Sequence, residues 1–421
     1  MSHSFPHPKI SRLPKVPPNL THLLKLVEFP LPTLDDKSLL PEDAEASVDL
    51  PFEKIQYLKA AYDLLQEPIK HFIADEKPDW IISDFTQHWI VDIAKTYDIP
   101  IIYYCIFGAA ATGFSIAATC FGDTPEILTI PVFQLLDVPS TLAYKKYGSL
   151  ELMETFYIDD ASGASYAQRV SDILVACRAI AIRSFKEFED LYIEALHKIV
   201  DKPVIPVGLL ATTSSSPSTN FNNDPSSTNI FKWLDQQKGK SVLIVGFGSE
   251  YKLSKEQVDE IAYGLELSGL PFIWILQKPN WSSNEVDLLP EGFGPRTAEK
   301  GVVHIGWAPQ KEILAHQSIG GTLVQGGWGS VTESLQHGHV VVVLSFVYDQ
   351  GFNARFLMEK GLGIEVERNE EDGSFTRNDI AKALTYAMAS EGGAELRDRA
   401  KEVAPIFGDQ KLHDSYVAKS V

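Results

Sequence analysis

Short uninterrupted apolar runs punctuate the second half of this 421-residue chain: SVLIVGF at 241–247, PFIWIL at 271–276, VVHI at 302–305, GTLVQ at 321–325 and VVVVLSF at 340–346. None alternates polar with apolar positions, so each predicts a strand buried on both faces. Between them the apolar spacing switches to the helical period. One helix is expected to open at Ser254, where Gln257 completes a capping box, and to stop at Gly269 before Pro271. Others are expected from Pro309, Ser330, Gly351 and Thr376. Buried strands separated by helices predict an α/β domain built on a parallel sheet covered on both faces.

The first half repeats the theme less completely. PDWIIS (78–83), IPIIYY, AIAIRSF (179–185) and PVIPVG (203–208) read as strands, with helical patterns over Thr86–Tyr97 and Glu187–Val200. The opening, PHPKISRLPKVPPNL, is Pro-rich and non-periodic, so the strand–loop–helix unit that starts a doubly wound domain is not visible. From Ile99 to Phe121 run 23 uncharged residues, long enough for a bilayer. Gly108, Gly113 and several Ala, Ser and Thr interrupt them, which favours a buried strand followed by a buried helix.

Residues 211–228, ATTSSSPSTNFNNDPSST, have no periodicity and a composition that cannot bury enough surface to order itself. They divide the chain into a first domain at 1–210, a linker at 211–228 and a second domain at 229–404, with 405–421 expected as a C-terminal helix packing back on the first domain.

Composition then narrows the function classes. A net charge of −19, with no basic tract, argues against a nucleic-acid partner or an anionic membrane surface. Three cysteines, Cys105, Cys120 and Cys177, without CxxC spacing read as reduced thiols. With no apolar h-region in MSHSFPHPK, a cytoplasmic monomer without an integral membrane span is expected. Asp35-Asp36 and Asp159-Asp160 lie in polar, loop-like stretches, so no metal site is expected.

The chemistry concentrates between Trp307 and Gln350. At its centre a strand ending at Gln325 meets a Gly-Gly-Trp-Gly-Ser turn and a helix near Ser330. Glycines let the backbone approach a ligand, and a helix N-terminus offers free N–H groups to an anion, which suits a phosphate. The competing reading is a plain capping box, with Ser330 as the cap and Glu333 three residues on.

The whole block, WAPQKEILAHQSIGGTLVQGGWGSVTESLQHGHVVVVLSFVYDQ, resembles the donor-sugar signature of plant UDP-dependent glycosyltransferases. SVLIVGFGSEYKLSKEQVDEIAYGLELSGLPFIWIL, PDWIISDFTQHW, KPVIPVG and EEDGSFTRNDIAKAL look like the same family, closest to the branch that extends existing glycosides, rhamnosyltransferases included. The resemblance implies a GT-B fold: two doubly wound, Rossmann-like domains facing a cleft, here with an incomplete N-terminal domain. It implies a first domain that binds the acceptor and a second that binds a UDP-sugar, a co-substrate rather than a cofactor. Trp307 would stack on the uracil with Gln310 beside it, and Glu333 would accept from the ribose hydroxyls. Ser330 and the Gly248–Ser249 turn would meet the diphosphate, and Trp328, Asp349 and Gln350 would hold the sugar hydroxyls.

Several positions depart from the pattern. Gln325 replaces a His that contacts the diphosphate, Gly326 a Cys, and Gly329 an Asn. His339-Val340 replaces a pair such as Val-Pro, which is expected to loosen a loop and matter little. The family's catalytic His belongs to the opening unit. His3, in H-S-F-P, has only two residues before it and so no strand to aim it. Asp84 matches the acid that orients that His; its alternative is a cap for the following helix. The implied reaction is inverting hexosyl transfer, of glucose or rhamnose, to a hydroxyl of a hydrophobic plant metabolite or its glycoside. The rival reading is a silent UDP-sugar binder lacking the base.

Overall fold

A computed structural model describes residues 20–41, 44, 46–122, 124–210, 225–248, 251–279, 281–282 and 288–420. The His3 and Ser249 assignments lie outside the described residues. Two parallel sheets organise the rest. The first contains β1 (Ile81–Ser83), β2 (Ile101–Cys105), β3 (Ala179–Ile182) and β4 (Val204–Pro206), side by side in that order. The second contains β5 (Val242–Gly246), β6 (Phe272–Leu276), β7 (Gly301–Ile305), β8 (Ile319–Val324), β9 (Val340–Val343) and β10 (Gly363–Glu365). Its order is β10-β9-β8-β5-β6-β7, so the sheet grows in one direction from β5 to β7 and in the other from β8 to β10. The reversal falls between β5 and β8.

The uninterrupted apolar runs become central strands because both faces are covered. Every residue of β6, β8 and β9 is buried. β10 was not anticipated: three residues bounded by glycine and charge give no periodic signal. The Ser254–Gln257 capping box forms, and Gly269 ends that helix at φ +64. The long apolar stretch becomes β2 followed by a 13-residue helix, Ala109–Phe121. Among the described residues no helix is long and apolar enough to cross a membrane.

Three expectations are corrected. The helix read from Thr86 starts at Ile90, because Asp84 Oδ1 accepts from Thr86 N at 2.7 Å and holds a turn instead. The helix read from Ser330 starts at Trp328 with Gly327 as its uncapped entry, so no capping box forms there. His339 does not loosen a loop. It is fully buried, and its Nε2 donates to the Leu314 carbonyl at 2.7 Å, tying the start of β9 to the end of the helix Gln310–Leu314. Desolvation pushes its pKa down to about 3, so the ring is neutral.

The two sheets share one apolar core. The helix Gln350–Lys360 lies between them: Phe352 packs on Phe114 with ring centroids 4.8 Å apart, and Phe356 on Phe188 and Tyr192 at 5.4 Å. Burying each of these phenylalanines stabilises the contact by roughly 1.5–3 kcal/mol. The last helix, Gln410–Ser420, turns back on the first sheet's side, where Tyr416 OH accepts from Lys186 N at 2.9 Å and donates to Glu187 Oε2 at 2.7 Å. At the opposite side β1 is an edge: among the described residues no strand pairs beyond it, and Trp80 and Ile82 are exposed.

Candidate active site

Open parallel sheets bind ligands beyond the carboxyl ends of their strands where the strand order reverses. In the second sheet that point lies above β5 and β8, whose ends are level because Gly246 pairs with Val324. Two residues beyond each strand end stands a glycine, Gly248 after β5 and Gly326 after β8, for steric reasons. Gly248 has φ +67, and a Cβ there would stand 2.7 Å from Gln325 Nε2. Gly326 has φ +95, and a Cβ there would stand 2.7 Å from Val343 Cγ1 and 3.0 Å from the Gln350 carbonyl. Side chains at either position would fill the space that the backbone leaves open.

Beyond the Gly326–Gly327 turn, the first helical hydrogen bond of Trp328–Gln336 is made by Val331 N to Gly327 O, at 3.1 Å. The N–H groups of Trp328, Gly329 and Ser330 therefore have no partner within the helix and form an anion-binding end. A pocket opens beside it, lined by Gly246, Gly248, Gln310, Thr322, Ser330 and Ser334. Gln325 Oε1 is buried on this turn with no hydrogen-bond partner among the described residues.

The other sequence candidates fall in three groups. Trp307 is 74% exposed, unusual for a tryptophan, and its ring is available as a stacking platform. Gln310 Nε2 donates to Glu333 Oε2 at 3.3 Å, which brings these two residues together. Trp328 is separate: its indole is buried, packs near Phe188 and Phe356, and donates Nε1–H to the Arg183 carbonyl at 2.9 Å. Its side chain joins the two halves of the molecule instead of facing the cleft. Gln350 is also buried, its Oε1 accepting from Phe346 N and Val347 N at 2.9 and 3.1 Å.

Asp349 borders a second, apolar pocket whose walls include Tyr103, Phe107, Ile116, Tyr144 and Phe156. Desolvation pushes its carboxyl up to about 6, against a weaker lowering by the hydrogen bond from Asn353 Nδ2 at 2.8 Å. The same Asn353 nitrogen donates to the Gly326 carbonyl at 2.9 Å, so one amide ties the turn to the acid. Asn353 escaped the sequence reading; its signal was the four-residue spacing from Asp349 at a helix start.

Asp84 is half-buried on the first sheet's side, at the carboxyl end of β1. His88, the nearest histidine in sequence, pairs instead with Asp172, Nδ1 to Oδ2, at 3.0 Å. No described histidine is hydrogen-bonded to Asp84. The acidic pairs noted in the sequence serve local structure: Asp36 holds Ser38, and Asp160 holds Lys59 and Ser162.

Residues 165–395 match the family model described as UDP-glucoronosyl and UDP-glucosyl transferase, which spans more than half of the chain. UDP-glycosyltransferase 91A1 of Arabidopsis thaliana is 37% identical over 411 residues, covering 96% of this chain and 86% of the relative. The chain belongs to the UDP-glycosyltransferase family. Soyasaponin III rhamnosyltransferase of Glycine max is also 37% identical, over 420 residues, with 97% of this chain and 85% of that protein covered. Among solved structures, a Glycyrrhiza uralensis glycosyltransferase complexed with glycyrrhetinic acid 3-O-monoglucuronide has a TM-score of 0.73 at 23% identity, covering 93% and 82% of the two chains. A transferase from Siraitia grosvenorii in complex with UDP gives 0.69 at 24% identity, covering 86% and 87%. The two Rossmann-like sheets of the transferase thus form a GT-B fold.

Proposed function

We propose that this transferase moves a hexose, glucose or rhamnose, from its UDP-sugar to a hydroxyl of a hydrophobic plant metabolite or its glycoside, with inversion. The observation that carries the reading is the strand-reversal pocket lined by Gly248, Gln310 and Ser330, with the free N–H groups before Ser330 at its wall, Glu333 bonded to Gln310, and the exposed Trp307 three residues before Gln310 in the chain. An indole face, a carboxylate and a helix N-terminus suit a base, a vicinal diol and a diphosphate in turn. Asp349 adjoins the apolar pocket, which suits a greasy acceptor.

In the reaction the acceptor oxygen forms a bond to the anomeric carbon as the bond from that carbon to the diphosphate oxygen breaks. UDP leaves with the electron pair, stabilised by helix N–H groups rather than by a metal, and a base removes the hydroxyl proton. We assign 1–210 to the acceptor domain, 229–404 to the donor domain, 211–228 to the linker and 405–421 to a helix returning to the first domain. A cytoplasmic monomer with no metal completes the reading.

One observation favours a second reading, a UDP-sugar binder without turnover: Asp84 is engaged with Thr86 N and, among the described residues, has no histidine to orient. The test is to incubate the chain with UDP-glucose or UDP-rhamnose and a panel of hydrophobic glycosides, following UDP release and the anomeric configuration of the product. Inverted product supports transfer. Saturable binding without product supports the silent binder, and no binding overturns both.

A further inference from the structure

Arg183 directly follows β3 on the first sheet, yet it faces the donor side of the cleft. Its carbonyl receives Trp328 Nε1–H at 2.9 Å, which fixes this point of the first domain over the start of the Trp328–Gln336 helix. Its own Nε donates to the Leu209 carbonyl at 2.9 Å, directing the two terminal nitrogens away from β4. Nη1 ends 3.7 Å from the position that a Cβ on Gly329 would occupy. Neither Nη1 nor Nη2 has an acceptor among the described residues. The guanidinium lines a cleft together with Glu333.

The donor site needs such a group. From Gln325 to Gln336 the chain contains no Lys, Arg or His, so the turn and helix offer a diphosphate N–H dipoles but no cationic side chain. Gln325 even buries an unpartnered carbonyl oxygen there. Lys311, also on this cleft, sits beside Gln310 at the nucleoside end. Gly329, lacking a side chain, leaves the approach from Arg183 to the helix N-terminus open.

We infer that Arg183 is a donor-binding residue, its terminal guanidinium nitrogens gripping the diphosphate from the wall opposite the Trp328 helix. This rests on the donor site proposed above. A planar guanidinium matches two phosphate oxygens at once and stays charged at every working pH. Placed on the first domain, it makes the diphosphate a bridge between the two halves, and it faces the negative charge that grows on departing UDP.

The test compares the affinities of UDP and uridine by calorimetry for the wild-type chain, Arg183→Gln, Arg183→Met and Arg183→Lys. Uridine lacks the diphosphate, so it reports the fold and the nucleoside site alone. In Arg183→Gln, and in Arg183→Met should the first fail to fold, the preference for UDP over uridine is expected to fall about 10- to 100-fold while uridine binding holds. Arg183→Lys, keeping the charge without the fork, should recover part of it. A preference within twofold of wild type in either neutral variant overturns the inference while leaving the donor site standing. Failure of the wild-type chain to bind UDP removes both.

Discussion

Glu333→Ala removes the carboxylate assigned to the ribose and leaves the helix that carries it intact. Glu333 is half-buried, and its described partner is Gln310 Nε2, at a long 3.3 Å, so little folding free energy depends on it. With UDP bound, two ribose hydroxyls would donate to it. Hydrogen bonds to a charged group contribute about 1.5–3 kcal/mol each, and partial exposure puts these at the lower end. Setting about 0.5–1 kcal/mol against this for the Gln310 contact given up on binding leaves a loss of about 2–3 kcal/mol, or roughly 30- to 150-fold in Kd. Calorimetric titration with UDP measures it, and 2′-deoxy-UDP provides the control, since one of the two bonds is already missing from that ligand. The variant should lose less affinity for 2′-deoxy-UDP than for UDP, with an unchanged thermal midpoint. Unchanged UDP affinity, or equal losses for both nucleotides, would refute the ribose assignment.

Three further outcomes follow from the same geometry. Gln325→His places a titratable imidazole on the diphosphate turn; UDP should bind more tightly by about 0.5–1.5 kcal/mol, more at pH 6 than at pH 8, and equal affinity at both would place the diphosphate elsewhere. Asp349, pushed up to about 6, loses its carboxylate as pH falls through that value, so the affinity for UDP-sugar relative to UDP should drop between pH 7 and 5, and Asp349→Asn should abolish the dependence. Because burial favours the protonated acid in the folded state, its stabilising contribution is lost as pH rises from about 4 through about 6, so Asp349→Asn should raise the thermal midpoint more at pH 8 than at pH 5.

Nine of the ten strands among the described residues were legible because parallel strands covered on both faces write themselves as apolar runs, as VVVVLSF and PFIWIL do. The glycine turns after β5 and β8 were legible for a similar reason: glycines crowd where a side chain would strike Gln325 or Val343. What the sequence hid depends on distant contacts. Nothing local distinguishes Trp307, left 74% exposed, from Trp328, buried on the first sheet's side and bonded to the Arg183 carbonyl. Ser330 and Glu333 have the spacing of a capping box, but the helix is entered at Gly327, three residues before Ser330. His339 read as a loop residue because its partner, the Leu314 carbonyl, lies 25 positions away. Arg183 carried no signal at all, since a lone basic residue after a strand gains meaning only from what faces it.

The central claim is that a UDP-sugar sits where the strand order of the second sheet reverses. A crystal structure of the chain grown with saturating UDP tests it most directly. The account predicts uracil on the exposed face of Trp307, ribose hydroxyls on Glu333, and the diphosphate at the N–H groups of Trp328, Gly329 and Ser330, facing Arg183. A nucleotide bound elsewhere, or an empty pocket between Gly248 and Ser330 at saturating UDP, would contradict it.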